Sequence, residues 1–161
     1  MDDVLLSQET DEWSTPQALF DALDFIFNFI LDVCASPDNA KCQYFGSKLC
    51  DGLLLDWTDH TCWMNPPYST TSLWLAKAWL AADRNKTCTV ALVASRTDTA
   101  AWHNYVIRQP HAFFRGRLKF GNSNNSAPFP SALVFYGMPK RIKKPDIVNK
   151  LLLHNYYLRF V

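Results

Sequence analysis

The run Met64-Asn65-Pro66-Pro67-Tyr68-Ser69 sets an amide, two prolines and an aromatic ring in a row, directly after an apolar stretch. Proline cannot donate to a sheet ladder, so the pair ends any strand that precedes it. The same stiffness suits chemistry on a flat amine. The exocyclic nitrogen of a heterocycle such as adenine is a poor nucleophile, because its lone pair is delocalised into the ring. Two acceptors on its N–H groups help it rehybridise as it attacks. Asn65 offers a side-chain carbonyl and Pro66 a backbone carbonyl, and Pro66 and Pro67 keep that backbone stiff, so both acceptors are preorganised. Tyr68 offers a stacking face, worth about 1–3 kcal/mol per base. Four residues alone read equally well as a proline turn capping a strand.

Few other chemistries are open. His60, His103, His111 and His154 show no ligand spacing, and neither a Ser/His/Asp nor a Cys/His arrangement nor a P-loop is evident. The five cysteines, Cys34, Cys42, Cys50, Cys62 and Cys88, are odd in number and contain no CxxC pair. They read as reduced thiols, several serving as small core residues, and no metal site is expected.

The elements that must hold the Asn65 segment follow from periodicity. In "WSTPQALFDAL", Thr15 fits an N-cap and Pro16 the first helical position, and Ala18, Leu19, Ala22 and Leu23 give one apolar face. A buried strand is expected over Phe27–Val33, and further strands at "CQYFG", "GLLLDW", "TCWMNPPY", "CTVALVAS", "HAFFRG" and "SALVFYG". "TSLWLAKAWLAADR" has helical spacing, helices are also expected over Thr97–Arg108 and Pro145–Tyr156, and no repeat interrupts the series. Strands alternating with helices imply an α/β layer with a mostly parallel sheet of about seven strands. Such sheets bind ligands at the carboxyl ends of their strands. Asp32, Asp56 and Asn65 all fall at expected carboxyl ends, which brings three separated motifs to one rim.

Composition sets the bounds. The 161 residues suit one domain. The absence of an apolar run of about 18 residues and of a basic leader predicts no membrane span and a cytoplasmic location. The net charge of +1 hides an imbalance. Residues 1–80 hold 3 Lys/Arg and 12 Asp/Glu, and residues 81–161 hold 13 and 3. The second half is suited to phosphate, provided the charges do not mix in space.

Taken together, "EWSTP", "LDVCASPDNAKC", "DGLLLDW", "MNPPYS", "ASRTDTAAWH" and "RGRLKFGNSNNSAPFPSALVFYG" resemble the small phage-type DNA N-6-adenine methyltransferase family, in order, over about residues 11–137. The resemblance implies a class I, Rossmann-like fold that uses S-adenosylmethionine and methylates N6 of a flipped adenine in DNA. It implies a phage or prophage origin and a role in marking DNA against restriction. The matched span becomes the core of the domain, about 11–137, with 138–161 an extension. Asn65, Pro66, Pro67 and Tyr68 become the catalytic motif, and Asn65 also lines the cofactor site. Trp13, Thr15 and Pro16 are similar to the segment lining the methionine end of the cofactor. Asp32, with small Cys34, Ala35 and Ser36 in place of the wider Gly-x-Gly pattern, closes the first strand beside the cofactor's amino group or ribose. Asp56 and Trp57 resemble the acid–aromatic pair at its adenine, and Asp51 is a candidate for its ribose hydroxyls. Arg96, Arg115, Arg117 and Lys119 become DNA-facing cations, and an exposed Phe120 or Phe129 would stack the flipped base opposite Tyr68.

The same tetrapeptide serves methylation of RNA adenine and of protein glutamine. A basic half disfavours a protein acceptor and does not separate DNA from RNA. A degenerate nucleic-acid-binding module is a third reading, opposed by the intact Asp32, Asp56 and Asn65 set. Target sequence is not legible, and a monomer and a homodimer are both open.

Overall fold

The computed structural model describes residues 13–121 and 126–161, so the Asn/Ser-rich tract at 122–125, expected to be a mobile loop, lies outside the described residues, as does Glu12. Helix α1 spans Gln17–Phe27. Pro16, not Thr15, is its N-cap, so Thr15 is freed for another contact. The helix stops where Asn28 turns left-handed (φ 54°) and donates to the Asp24 carbonyl, while Asp24 Oδ1 accepts from the Phe29 N–H at 2.7 Å. Phe27 thus belongs to the helix, and the first strand is only β1, Leu31–Asp32. There follow β2 (Tyr44–Phe45), β3 (Thr61–Met64), a 3-10 turn at Tyr68–Thr70, α2 (Thr71–Asn85) and β4 (Cys88–Ala94). Next come α3 (Ala100–Tyr105), β5 (His111–Phe114), β6 (Ser131–Tyr136), α4 (Lys144–Leu152) and β7 (Leu158–Phe160). Thr99 caps α3 by accepting from the Trp102 N–H, which starts that helix later than expected.

The strands form one mixed sheet in the order β2-β1-β3-β4-β6-β5-β7. Its count matches expectation and its membership does not. "GLLLDW" is a series of turns rather than a strand, with Leu54 83% exposed. The Lys77 ammonium donates to the Leu53 and Leu55 carbonyls at 2.7 Å each, and Trp57 Nε1 donates to the Gly52 carbonyl at 2.9 Å. Those tertiary bonds occupy groups that a ladder would need. The seventh strand is instead β7, which pairs antiparallel with β5.

Nor is the sheet mostly parallel. The pairs β2/β1, β1/β3 and β3/β4 are parallel, and β4/β6, β6/β5 and β5/β7 are antiparallel. Among the described residues no helix intervenes between β5 and β6, as a parallel crossover would need.

Alternation along the strands feeds two cores. Cys88, Val90 and Leu92 face one core with α1 and α4, while Ala91 and Val93 face the other with α2 and α3. Trp63 points to the first core and Cys62 and Met64 to the second. Strand order also sorts the described strands: β1, β2 and β3 lie on one side of β4, and β5, β6 and β7 on the other. The helices cross that border, since α1 contacts α4.

A candidate ligand cavity and acceptor site

At the carboxyl ends of β1 and β3 lies a cavity of about 300 Å³. Its lining includes Trp13, Thr15, Asp32, Cys34, Ala35, Asp51, Asn65 and Pro67. Sequence reading did not single out Asn39, Lys41, Gly46, Ser47, Lys48, Gly52, Trp63 or Trp74, which line it too.

Asp32 is the electrostatic centre. Its carboxylate is 3% exposed. Oδ2 accepts from the Lys41 N–H at 3.0 Å, while the buried Oδ1 has no hydrogen-bond partner. Burial raises its pKa to about 7, against the pull of the Lys41 and Cys34 backbone N–H groups and the Lys41 charge. A buried carboxylate oxygen without a donor is costly, so a ligand that brings an ammonium or hydroxyl here is favoured. The neighbouring Cys34 thiol is pushed well above its ordinary value by burial and then by the Asp32 charge, so it is no nucleophile.

The floor is shaped by two glycines from separate segments. A Cβ on Gly46 would lie 2.4 Å from the Val33 carbonyl oxygen, and one on Gly52 only 1.8 Å from it. The Gly46 N–H donates to the Asp32 carbonyl and its own carbonyl accepts from Ala35, both at 2.8 Å. Cys34, Ala35 and Ser36 thus have their close approach supplied by partners elsewhere in the chain. Ser36 itself is outside the lining, and its N–H goes to Asn39 Oδ1 at 2.7 Å.

The turn after Gly52 reassigns two expected residues by position. Asp56 lies outside the cavity wall and accepts from the Thr58 hydroxyl and N–H, at 2.6 and 2.9 Å. Those donors hold its pKa below the ordinary value. Trp57 is buried behind the wall, stacked on Trp74 with centroids 6.4 Å apart and the Lys77 ammonium over its other side at 5.0 Å. The acid and the ring that do reach the cavity are Asp51 and Trp74. Asp51 Oδ1 caps its turn by accepting from the Leu53 N–H at 2.9 Å. The apolar "LLL" run concealed this turn, and nothing local in the sequence links Trp74 to it.

Asn65 follows β3 directly. Its Nδ2 donates to the Trp13 carbonyl at 2.5 Å and to Thr15 Oγ1 at 3.0 Å. Pro66 is buried. The Pro67 carbonyl is engaged by the Thr70 N–H and the Thr71 hydroxyl, at 3.3 and 3.0 Å, which fixes the turn into α2. Pro16 caps α1 outside the lining.

Beside Asn65 four rings meet. Trp13 lies edge-on to Tyr68, Phe120 and Phe129, with centroids 6.4, 5.7 and 5.6 Å away. Tyr68 and Phe129 are 4.6 Å apart, edge to face. Phe120 is 4% exposed, which corrects the expectation of an exposed ring there. A base sandwiched between Tyr68 and Phe129 needs two stacking gaps of about 3.5 Å each, so those rings must part first. Arg115, Arg117 and Lys119 are exposed, with Leu118 buried between the last two and Phe120 buried just after Lys119. The Arg115 N–H donates to the Tyr157 carbonyl at 2.9 Å, and its guanidinium sits 5.9 Å from that ring. Arg96 is exposed just past the carboxyl end of β4. Among the described residues no His/Cys/Asp/Glu group could hold a metal ion, and no helix is long and apolar enough to cross a membrane.

The mixed α/β sheet thus carries a cavity and the Asn-Pro-Pro-Tyr turn together at the carboxyl ends of its parallel strands. A sequence model described as DNA N-6-adenine-methyltransferase (Dam) matches residues 3–136, and the chain belongs to that family. It is 30% identical over 102 residues to the DNA N-6-adenine-methyltransferase of Haemophilus phage HP1 (strain HP1c1), covering 62% of this chain and 58% of that protein. It is 31% identical over 94 residues to the DNA N-6-adenine-methyltransferase of Escherichia phage T1, covering 57% of this chain and 39% of that one. The chain thus spans between two fifths and three fifths of the length of these relatives.

Proposed function

We propose that this chain transfers a methyl group from S-adenosylmethionine to N6 of adenine in DNA, on a class I, Rossmann-like scaffold. One observation carries the reading: the unpartnered Asp32 Oδ1 is buried in the cavity that Asn65 also lines. A donor that binds the carboxylate is thereby set beside the amide that grips the acceptor.

The residues fit the cofactor. Asp32 would take its ammonium or a ribose hydroxyl, Asp51 the ribose, and Trp74 the adenine face, while Gly46 and Gly52 leave room for the chain to pass. When bound, S-adenosylmethionine supplies an electrophilic methyl group. Asn65 Oδ1 and the Pro66 carbonyl accept the two N–H groups of the acceptor amine, drawing its lone pair out of conjugation. No charged base is needed, since the methylated nitrogen sheds its extra proton to water after the C–N bond has formed and the C–S bond has broken. Tyr68 stacks the base once Phe129 has moved aside, and Arg115, Arg117 and Lys119 meet phosphates.

The test is methyl transfer to unmethylated DNA, RNA and protein in parallel, with the methylated base mapped by sequencing. The expected result is N6-methyladenine in DNA alone; transfer only to RNA or protein would overturn the acceptor assignment. Asn65→Ala should lower kcat about 10²–10³-fold while cofactor affinity is kept. An unchanged rate would overturn the mechanism.

A further inference from the structure

We infer that Thr15 is a positioning residue for Asn65, an assignment that rests on the acceptor role proposed above. An asparagine amide has two orientations of nearly equal shape, and only its hydrogen-bond partners choose between them. Here the Trp13 carbonyl at 2.5 Å can only accept and sets the orientation, and Thr15 Oγ1 at 3.0 Å receives the second Nδ2 hydrogen and holds the amide there. Turning the amide over would set Oδ1 against the Trp13 carbonyl, oxygen facing oxygen. The carbonyl end of Asn65 is therefore left for the acceptor amine.

Thr15 is built for this and for little else. It is 5% exposed, and the cap of α1 falls to Pro16, so its hydroxyl is not spent on the helix. Its β-branched side chain is stiff, which holds the oxygen in place. Trp13 adds its carbonyl while its ring joins Tyr68 and Phe129 at the acceptor side. Two residues that precede α1 thus orient an amide some fifty positions later, from within the cavity wall.

The test uses Thr15→Val, which keeps the shape and removes the acceptor, and Thr15→Ser, which restores it. Thr15→Val should lower kcat about 10-fold or more, by clearly more than it weakens cofactor Kd, with KM for DNA within about twofold of the parent. Thr15→Ser should recover most of the rate. An unchanged kcat in Thr15→Val, or loss of cofactor affinity equal to the loss of rate, would overturn the assignment. A second readout needs no activity. In the ligand-free protein the Asn65 side-chain amide protons should exchange slowly with solvent, and Thr15→Val should speed the exchange while Thr15→Ser does not. If the parent transfers no methyl group but the exchange behaves as stated, the acceptor reading fails and the clamp stands. If the exchange is fast in the parent, the clamp fails whatever the activity.

Discussion

The two halves of the sheet meet at β4 and solve different problems. On the parallel side, two-residue strands β1 and β2 end in a walled cavity with one buried carboxylate at its centre. On the antiparallel side, β6 and β5 carry fully paired ladders, and the connection between them holds exposed cations. The first half is short on ladder and rich in loop, because a cavity needs loops at strand ends. The second half has longer ladders and exposed Arg115, Arg117 and Lys119 in the connection between them. The proposed cofactor site and the proposed DNA surface should therefore be separable by mutation.

The largest effect should come from Asp32→Asn. Cofactor affinity should fall at least about 100-fold by calorimetry, with DNA affinity unchanged, because the charge that faces the cavity is gone. A change in both affinities would break the division between halves. The same residue gives the parent a pH dependence. With a pKa near 7 in the ligand-free fold, Asp32 must shed a proton to pair with a cation, so cofactor affinity should weaken about tenfold per unit as pH falls below 7. Ligand-free stability runs the opposite way: the fold holds the proton more tightly than the unfolded chain does. Stability should therefore decline as pH rises from about 4 through 7, and in Asp32→Asn that decline should be absent from denaturant melts.

Gly52→Ala is the next largest. A methyl 1.8 Å from the Val33 carbonyl forces the turn outward. The expected cost is about 2–4 kcal/mol in thermal or urea unfolding, with cofactor binding lost before DNA binding. The double change Arg115→Ala, Arg117→Ala should weaken DNA binding and reduce the slope of log affinity against log salt by about 2, leaving cofactor affinity alone. An unaltered salt slope would remove those cations from the DNA surface. The smallest effect belongs to Asp56→Ala, which should barely move the unfolding midpoint through its lost turn and leave cofactor affinity within about twofold. A large loss of affinity would return Asp56 to the site.

Sequence reading reached the parts of this molecule whose signals are local. The prolines after Met64 do end β3, and α2, β4, β5 and β6 lie where periodicity expects them. It failed where distant groups decide. "GLLLDW" looks like a strand until Lys77, some twenty residues on, takes two of its carbonyls. Thr15 looks like a cap until Asn65 claims its hydroxyl. The final strand, Leu158–Phe160, is three residues long and becomes a strand only because β5 offers it an edge. Asp32 and Asn65 were legible as residues at one rim because both sit at the ends of parallel strands, and the cavity they line lies there. Trp74 was not, because it reaches that cavity from α2 and belongs to no motif.

The Val33 carbonyl has a consequence for how such proteins are searched for. Glycine fingerprints are usually written as contiguous strings, with spacing as the criterion. In this chain the closeness that a fingerprint secures is divided between Gly46 and Gly52, neither of which adjoins β1. A pattern scan along the sequence meets only two unremarkable glycines and passes on. A query written as distances, asking which glycines elsewhere in the chain must abut the first carbonyl past a strand end, would retrieve this arrangement and its distant cousins together.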